Sequence, residues 1–260
     1  MTTVDAAAIN AAASGLARPT VVAHKTLADA AKTACQETAA ALAEAIAARQ
    51  VAHLALTGGA GGRALAAALP AALAAAGLTA DAGLDRIHLW EGDERFVPAG
   101  HADRNDLLVA DLVAAGVPES NVHRLLGPER VDSVDAAARA LAEDFDRRGP
   151  ADGRFDVMHL GLGPDAHVCS LFPGHPAAPT TGAAVVAVHS SPKPPPERVS
   201  FTFEVLHRAR RVLLVAGGTG KIAAVAKGLG PADIVAAPVS VARGEATVWH
   251  LDRAAVGLPA

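Results

Sequence analysis

The sequence contains no tyrosine, and aromatic residues make up 3% of its 260 positions. Base-stacking platforms are built from such side chains, so that mode of nucleic-acid binding is disfavoured. Positive charge is also scarce: the formal net charge is −4. A nucleic-acid surface needs a basic face, and none is expected here. A small anionic ligand remains compatible, because a few basic residues at one site suffice. Cysteine occurs twice, at Cys35 and Cys169, with no CxxC or metal-ligand spacing. That excludes a disulfide framework and points to a reduced, cytoplasmic protein. No HxxxH or HxH pair exists among the histidines, so no metal site is expected. The alanine-rich N-terminus lacks a basic flank and is interrupted by Asp5, so neither a signal peptide nor a spanning segment is read there.

What the chain does have is core-forming residues: 51% hydrophobic and 19% charged. Short apolar runs alternate with alanine-rich segments of good helix propensity. Strands are expected at 20–24, 51–56, 87–90, 155–160, 184–189, 199–203, 211–215 and 246–251. Helices are expected at 27–49, 62–76, 105–115 and 134–147. Alternation of this kind predicts an α/β fold: a doubly wound, mostly parallel sheet with helices on both faces. No linker separates two composition classes, so residues 1–260 read as one domain.

Four of these strands end in unusual chemistry. They run into Thr57-Gly58-Gly59, Asp93-Glu94-Arg95, Gly161 to Gly174 with Asp165 and His167, and Gly217 to Lys221. In parallel strands these ends share one edge of the sheet, where α/β folds bind ligands. The first loop opens a helix, a setting that attracts phosphate. Gly59 to Ala64 fits the pattern GxGxxG/A, but the acidic residue that a dinucleotide requires is misplaced, at Asp81 or Glu91. The Gly217 to Lys221 loop lacks the Walker pattern, because Val215 stands where glycine belongs and Ile222 where Ser or Thr belongs. It suits a single phosphate held by Lys221. Arg95 could clamp phosphate and Asp93 a sugar hydroxyl, or the two could form a salt bridge that staples the loop.

His167 stands out among 11 histidines because a carboxylate lies two residues before it in a glycine-bounded loop. A histidine of near-neutral pKa can act as a general base. His53, His88, His159 and His250 lie inside expected strands, His101 and His207 read as solvated, and His175 is a weaker ligand candidate. Cys169 and His167, two residues apart, would diverge by about 200° at a helix start, so Cys169 reads as a small buried residue. No GxSxG elbow offers a serine nucleophile.

Together, Gly161-Leu162-Gly163-Pro164-Asp165-Ala166-His167, Ser170-Leu171-Phe172-Pro173-Gly174, Gly92 to Pro98, Ser191 to Pro196, Arg198 to Thr202 and Gly217 to Lys221 resemble the signature of the 6-phosphogluconolactonases, in the family's order. The resemblance implies a Rossmann-like fold similar to glucosamine-6-phosphate deaminase and ribose-5-phosphate isomerase. It implies hydrolysis of 6-phospho-D-glucono-1,5-lactone without metal or cofactor. By the same resemblance His167 activates water, and Asp165 orients it or the ring hydroxyls. Arg95 and Lys221, with Thr57 and the Gly58-Gly59 backbone, hold the 6-phosphate. Asp93 approaches the sugar ring and Arg198 lines the site. The expected partner is the phosphosugar lactone alone, with no nucleic acid and no membrane, and the chain is expected to be a monomer. The isomerases and deaminases that resemble this motif follow the histidine with Phe-Asn-Glu-Pro; here Ser170-Leu171-Phe172-Pro173 stands instead. A phosphosugar-sensing regulator would need a helix-turn-helix, which is not read. Two positions depart from the family pattern. Ala60 follows Gly59 where a hydroxyl residue is usual, and Ala166 stands where glycine is usual. At positive φ, Ala166 would carry roughly 1 kcal/mol of strain.

Overall fold

The structure is a computed structural model that describes residues 6–259; Asp5 and the rest of the extreme N-terminus lie outside the described residues. In chain order the elements are α1 (Ala6–Ser14), β1 (Thr20–His24), α2 (Leu27–Arg49), β2 (Ala52–Leu56), α3 (Gly59–Ala75), β3 (Ile87–Glu91), β4 (Asp93–Arg95), α4 (Ala110–Ala115), β5 (Val122–His123), α5 (Val134–Arg148), β6 (Val157–Leu160), β7 (Val185–Val188), β8 (Arg198–Phe201), α6 (Phe203–Arg208), β9 (Arg211–Ala216), α7 (Ile222–Gly228) and β10 (Ala246–Asp252). Seven strands form a parallel sheet in the order β1-β10-β9-β6-β2-β3-β5. A smaller antiparallel sheet has the order β4-β8-β7.

Helices cover both faces of the large sheet, as the sequence predicts, and the strands record this residue by residue. Leu54, Leu89, Val157, Leu213 and Val215 point toward α2, α3 and α4. Their neighbours Ala55, Trp90, Met158, Val212 and Leu214 point toward α1, α5, α6 and α7. Period-two alternation with both sides apolar gives the continuous hydrophobic runs of a doubly covered strand. On the second face Trp90 anchors an aromatic cluster, with Phe145, Phe155 and Phe201 at 5.4–6.3 Å between centroids, edge-on.

Several helix starts are closed by side chains. Thr26 and Asp29 form a reciprocal capping box on α2, and Ser133 Oγ accepts the Ala136 N–H at the start of α5. The start of α3 has no such cap: Gly58 precedes it, and its first N–H groups are left for another acceptor.

Some elements differ from the sequence reading. The strand expected at 199–203 ends at Phe201, and Phe203 begins α6. The alanine-rich segment at 6–14 is helical, packing Ile9 and Ala13 on the core. Asp93-Glu94-Arg95 is not a loop but a short strand, and β5 was not expected. His207 is half-buried rather than solvated; its Nε2 lies 2.8 Å from the Val241 carbonyl.

Three strand histidines are packed into one column. His53 stacks on His88, His88 Nδ1 lies 2.8 Å from His123 Nε2, and Asp144 Oδ2 lies 2.7 Å from His123 Nδ1. Trp90 lies flat on His123 at 3.6 Å. Burial is the main reason His53 is pushed down to about 3 and His123 to about 4; the neighbouring histidines add to it, and Asp144 opposes it at His123. A histidine held neutral in the fold but free to protonate near pH 6.5 when unfolded stabilises the protein above pH 6.5. That stabilisation is lost as pH falls toward the folded value. Each such histidine removes about 1.4 kcal/mol per pH unit in that window. Urea unfolding at pH 7, 6 and 5 should therefore show stability falling by about 2 kcal/mol or more between pH 6 and 5; a flat profile would contradict the neutral column.

Candidate active site

The chain leaves β2 toward β3 and β5 on one side, and after α5 it returns to β6 and continues to β9 and β10 on the other. The loops after β2 and β6 therefore part company at the C-terminal edge and leave a crevice, as expected where strand order reverses. A cavity of about 310 Å³ sits there, lined by all four of the loops singled out in the sequence. The loops are pinned to one another and to the sheet. The Gly161 N–H donates to Thr57 Oγ1 at 3.2 Å, so Thr57 ties the β2 loop to the β6 loop. The Asp252 carboxylate accepts the Gly218 N–H at 3.0 Å.

The β6 loop carries the reactive pair. His167 Nδ1 lies 2.5 Å from Asp165 Oδ1. An ionised carboxylate only accepts, so this contact places the imidazole proton on Nδ1 and leaves Nε2 as the free lone pair. Burial alone would raise Asp165. The hydrogen bonds and charges of His167 and Lys193 outweigh it and hold the carboxyl well below the usual range. The pair lies directly over Gly163, where a Cβ would fall 2.0 Å from His167 Nδ1 and 2.5 Å from Asp165 Oδ1. Only glycine leaves room for them. Ala166, between the two, has φ +74°, in the left-handed region, and Cys169 has φ +49°. Strain of this kind is commonly stored at functional sites. The His167 ring rests on buried Phe172, with centroids 4.5 Å apart.

Asp93 and Arg95 alternate on β4, so both reach the cavity while Glu94 points away. They do not pair with each other. Asp93 Oδ2 accepts the Ser170 hydroxyl at 2.6 Å. Arg95 Nη1 donates to Asn105 Oδ1 at 2.6 Å and to the Asp103 carbonyl at 2.5 Å. Glu94 explains why that loop stands where it does: its carboxylate accepts the N–H groups of Asn105 and Asp106 at 2.9 and 2.8 Å. Asn105 in turn donates to the Asp93 carbonyl at 2.9 Å. On the opposite wall Lys221 Nζ donates to the Leu162 carbonyl at 2.5 Å, keeping its ammonium at the cavity. Burial, then the nearby Lys193 charge, pushes Lys221 down, against a partial offset from Asp165. Gly58, Gly59 and the uncapped start of α3 form the floor.

Arg198 lines the cavity as expected, with its Nε and Nη2 donors committed. They go to the carbonyls of Pro195, Lys193 and Pro194 at 3.1, 3.2 and 2.9 Å, and the guanidinium lies over Phe172 at 5.6 Å. Arg198 therefore holds the proline loop. His175 is not at the cavity; its Nε2 lies 2.7 Å from the His189 carbonyl and its Nδ1 accepts the Ala177 N–H. Cys169 is buried, and burial together with Asp93 pushes its thiol well up. Two cavity residues escaped the sequence reading as individuals. Asn105 carries no local signal at all. Lys193 was visible only as one letter of a proline-rich loop.

No group of three or more His, Cys, Asp or Glu side chains among the described residues is arranged to hold a metal ion. No helix among them is long and apolar enough to cross a membrane.

Comparison with known proteins places the chain in a family. The family model for glucosamine-6-phosphate isomerases/6-phosphogluconolactonase matches residues 25–249. A 6-phosphogluconolactonase of Streptomyces coelicolor is 40% identical over 250 residues, covering 91% of this chain and 93% of its own. The Homo sapiens 6-phosphogluconolactonase is 37% identical over 238 residues, covering 86% and 90%. Among solved structures, a 6-phosphogluconolactonase from Shewanella baltica superposes with a TM-score of 0.76, over 91% of this chain and 99% of that one, at 23% identity. That last likeness speaks for the fold; the family match and the two sequence relatives establish that the chain belongs to the glucosamine-6-phosphate isomerase/6-phosphogluconolactonase family, as a member of the 6-phosphogluconolactonase type.

Proposed function

We propose that this chain hydrolyses 6-phospho-D-glucono-1,5-lactone to 6-phospho-D-gluconate by direct attack of water, with His167 as the base. The observation that carries the mechanism is the short Asp165–His167 contact, which presents a proton-accepting Nε2 at a phosphosugar-sized cavity. Among the described residues, neither neighbouring nucleophile is in a state to compete. The Cys169 thiol is buried and held protonated, and the buried Ser170 hydroxyl is spent on Asp93. A lactone is an activated ester, so water suffices.

In the first step Nε2 takes a proton from water as the water oxygen bonds to C1. The carbonyl electrons move onto its oxygen, and the cations and free N–H groups around the cavity stabilise that charge. The intermediate then collapses: the carbonyl reforms and the bond between C1 and the ring oxygen breaks. The ring oxygen takes the proton from Nε2, restoring neutral His167 and opening the ring. Asp165 never needs to accept the Nδ1 proton; it fixes the ring and favours the transient imidazolium. Phosphate binding at the far end supplies orientation. Arg95, Lys221 and the uncapped start of α3 surround that end, with Asp93 placed for a ring hydroxyl.

The test is freshly prepared lactone with 6-phosphogluconate dehydrogenase as the coupled readout, each rate corrected for spontaneous hydrolysis. The wild-type chain should accelerate ring opening; no acceleration would reject the proposal. His167→Ala should lower kcat by roughly 10²- to 10⁴-fold with little change in KM. Arg95→Ala should act mainly on KM, raising it about tenfold or more, the magnitude of a lost charge-assisted hydrogen bond; an effect on kcat alone would argue against its phosphate role. Gly163→Ala should reduce kcat by about 10²-fold, because its methyl must displace the Asp165–His167 pair. Full activity in that variant would mean the pair's position is not critical.

A further inference from the structure

We infer that Lys193 is a positioning residue that balances the charge of the Asp165–His167 pair and keeps His167 unprotonated, and therefore competent as a base, toward acidic pH. This rests on the lactonase reading and assigns a role to a side chain that reading does not require. Lys193 Nζ lies 3.0 Å from Asp165 Oδ1, the same oxygen that accepts from His167, and 3.2 Å from His167 Nδ1. Both nitrogens are donors when Nδ1 carries its proton, so they do not hydrogen-bond to each other. They share one acceptor. If His167 becomes an imidazolium, two positive charges then stand about 3 Å apart.

The physical consequence follows from the signs. An ionised Asp165 attracts an imidazolium more strongly than a neutral imidazole. An ammonium at hydrogen-bond distance offsets that attraction. The other charged groups facing the pair do not change the direction. Lys221, across the cavity, is close enough to Lys193 to feel its charge, and Arg95 and Arg198 line the same cavity, with Asp93 as the opposing charge.

The loop is built to deliver this ammonium. The Ser191 N–H donates to the Pro196 carbonyl at 2.8 Å, closing the loop on itself. Ser191 Oγ donates to the Lys193 carbonyl at 2.9 Å and accepts the Lys193 N–H at 3.3 Å. Buried Arg198 binds the carbonyls of Lys193, Pro194 and Pro195 from below. Phe172 packs against the imidazole, with centroids 4.5 Å apart, and the guanidinium lies over the same ring at 5.6 Å. A surface lysine without a role would not have its backbone fixed from two sides.

The direct measurement is an NMR titration of the His167 ring in the full chain without substrate, assigned by loss of its signal in His167→Gln. Lys193→Met should move the midpoint up by about 0.5 to 1 pH unit, and Lys193→Arg should restore it. In steady-state assays Lys193→Met should lose roughly three- to tenfold more kcat/KM at pH 6 than at pH 8.5. An unmoved midpoint, or a loss of activity equal at every pH, would overturn the inference. The two readouts separate the claims. A midpoint that shifts in Lys193→Met, beside a wild-type chain that hydrolyses no lactone, would remove the function and with it this role. An unmoved midpoint in an active enzyme would remove only the role of Lys193.

Discussion

The divergence of the chain on either side of the β2–β6 pair is the constraint on which the site depends. Because β2 leads on to β3 and β6 leads on to β9, their following loops turn away from each other and cannot fill the space between them. Parallel pairing puts the ends of β2, β3, β6 and β9 at one edge. Everything chemical is then a matter of what each end carries: N–H groups from β2, a carboxylate and a guanidinium beyond β3, an imidazole–carboxylate pair from β6, an ammonium from β9. The small antiparallel sheet adds what the large one lacks. Gly92 hands the chain from β3 to β4, where alternation turns Asp93 and Arg95 to the cavity and Glu94 to the loop behind them.

Charge is organised in two layers around this crevice. Groups that touch the cavity are held by further charged side chains, of which Glu94 and Asp252 stand outside its lining and Arg198 shares it. Glu94 orders the Asn105 loop, which steadies Arg95; Asp252 orders the Gly218 turn, which precedes Lys221; Arg198 orders the proline loop, which presents Lys193. A net charge of −4 thus coexists with a site rich in cations: Arg95, Lys193, Arg198 and Lys221 line the cavity, against one lining carboxylate, Asp93. An enzyme that acts on a phosphorylated sugar needs that local reversal of sign.

Much of this was legible in the chain, for physical reasons. Buried parallel strands demand largely apolar runs, so strands were legible at 51–56, 155–160 and 211–215, and the structure has them at Ala52–Leu56, Val157–Leu160 and Arg211–Ala216. Glycine-bounded ends with Asp165 and His167 announced the edge; the sequence leaves the φ of Ala166 open, and the structure has it at +74°. What stayed hidden depends on contacts between distant residues. The two residues of β5 and the three of β4 are strands only because partners pair with them. Asn105 matters because Glu94, eleven residues away, captures its N–H. Lys193 reaches Asp165 across 28 residues of chain, by way of a loop whose sequence said only that it is irregular. Arg198 is expected at the site from the family resemblance, and only the geometry reveals that its Nε and Nη2 face the proline loop.

The central claim is one of orientation: carbonyl carbon at His167, phosphate at the start of α3. A crystal structure of the chain with 6-phosphogluconate bound tests it most directly. The account predicts the product carboxylate within hydrogen-bond distance of His167 Nε2, and the phosphate against Gly59 between Arg95 and Lys221. A product lying the other way round, with its phosphate at His167, would contradict it.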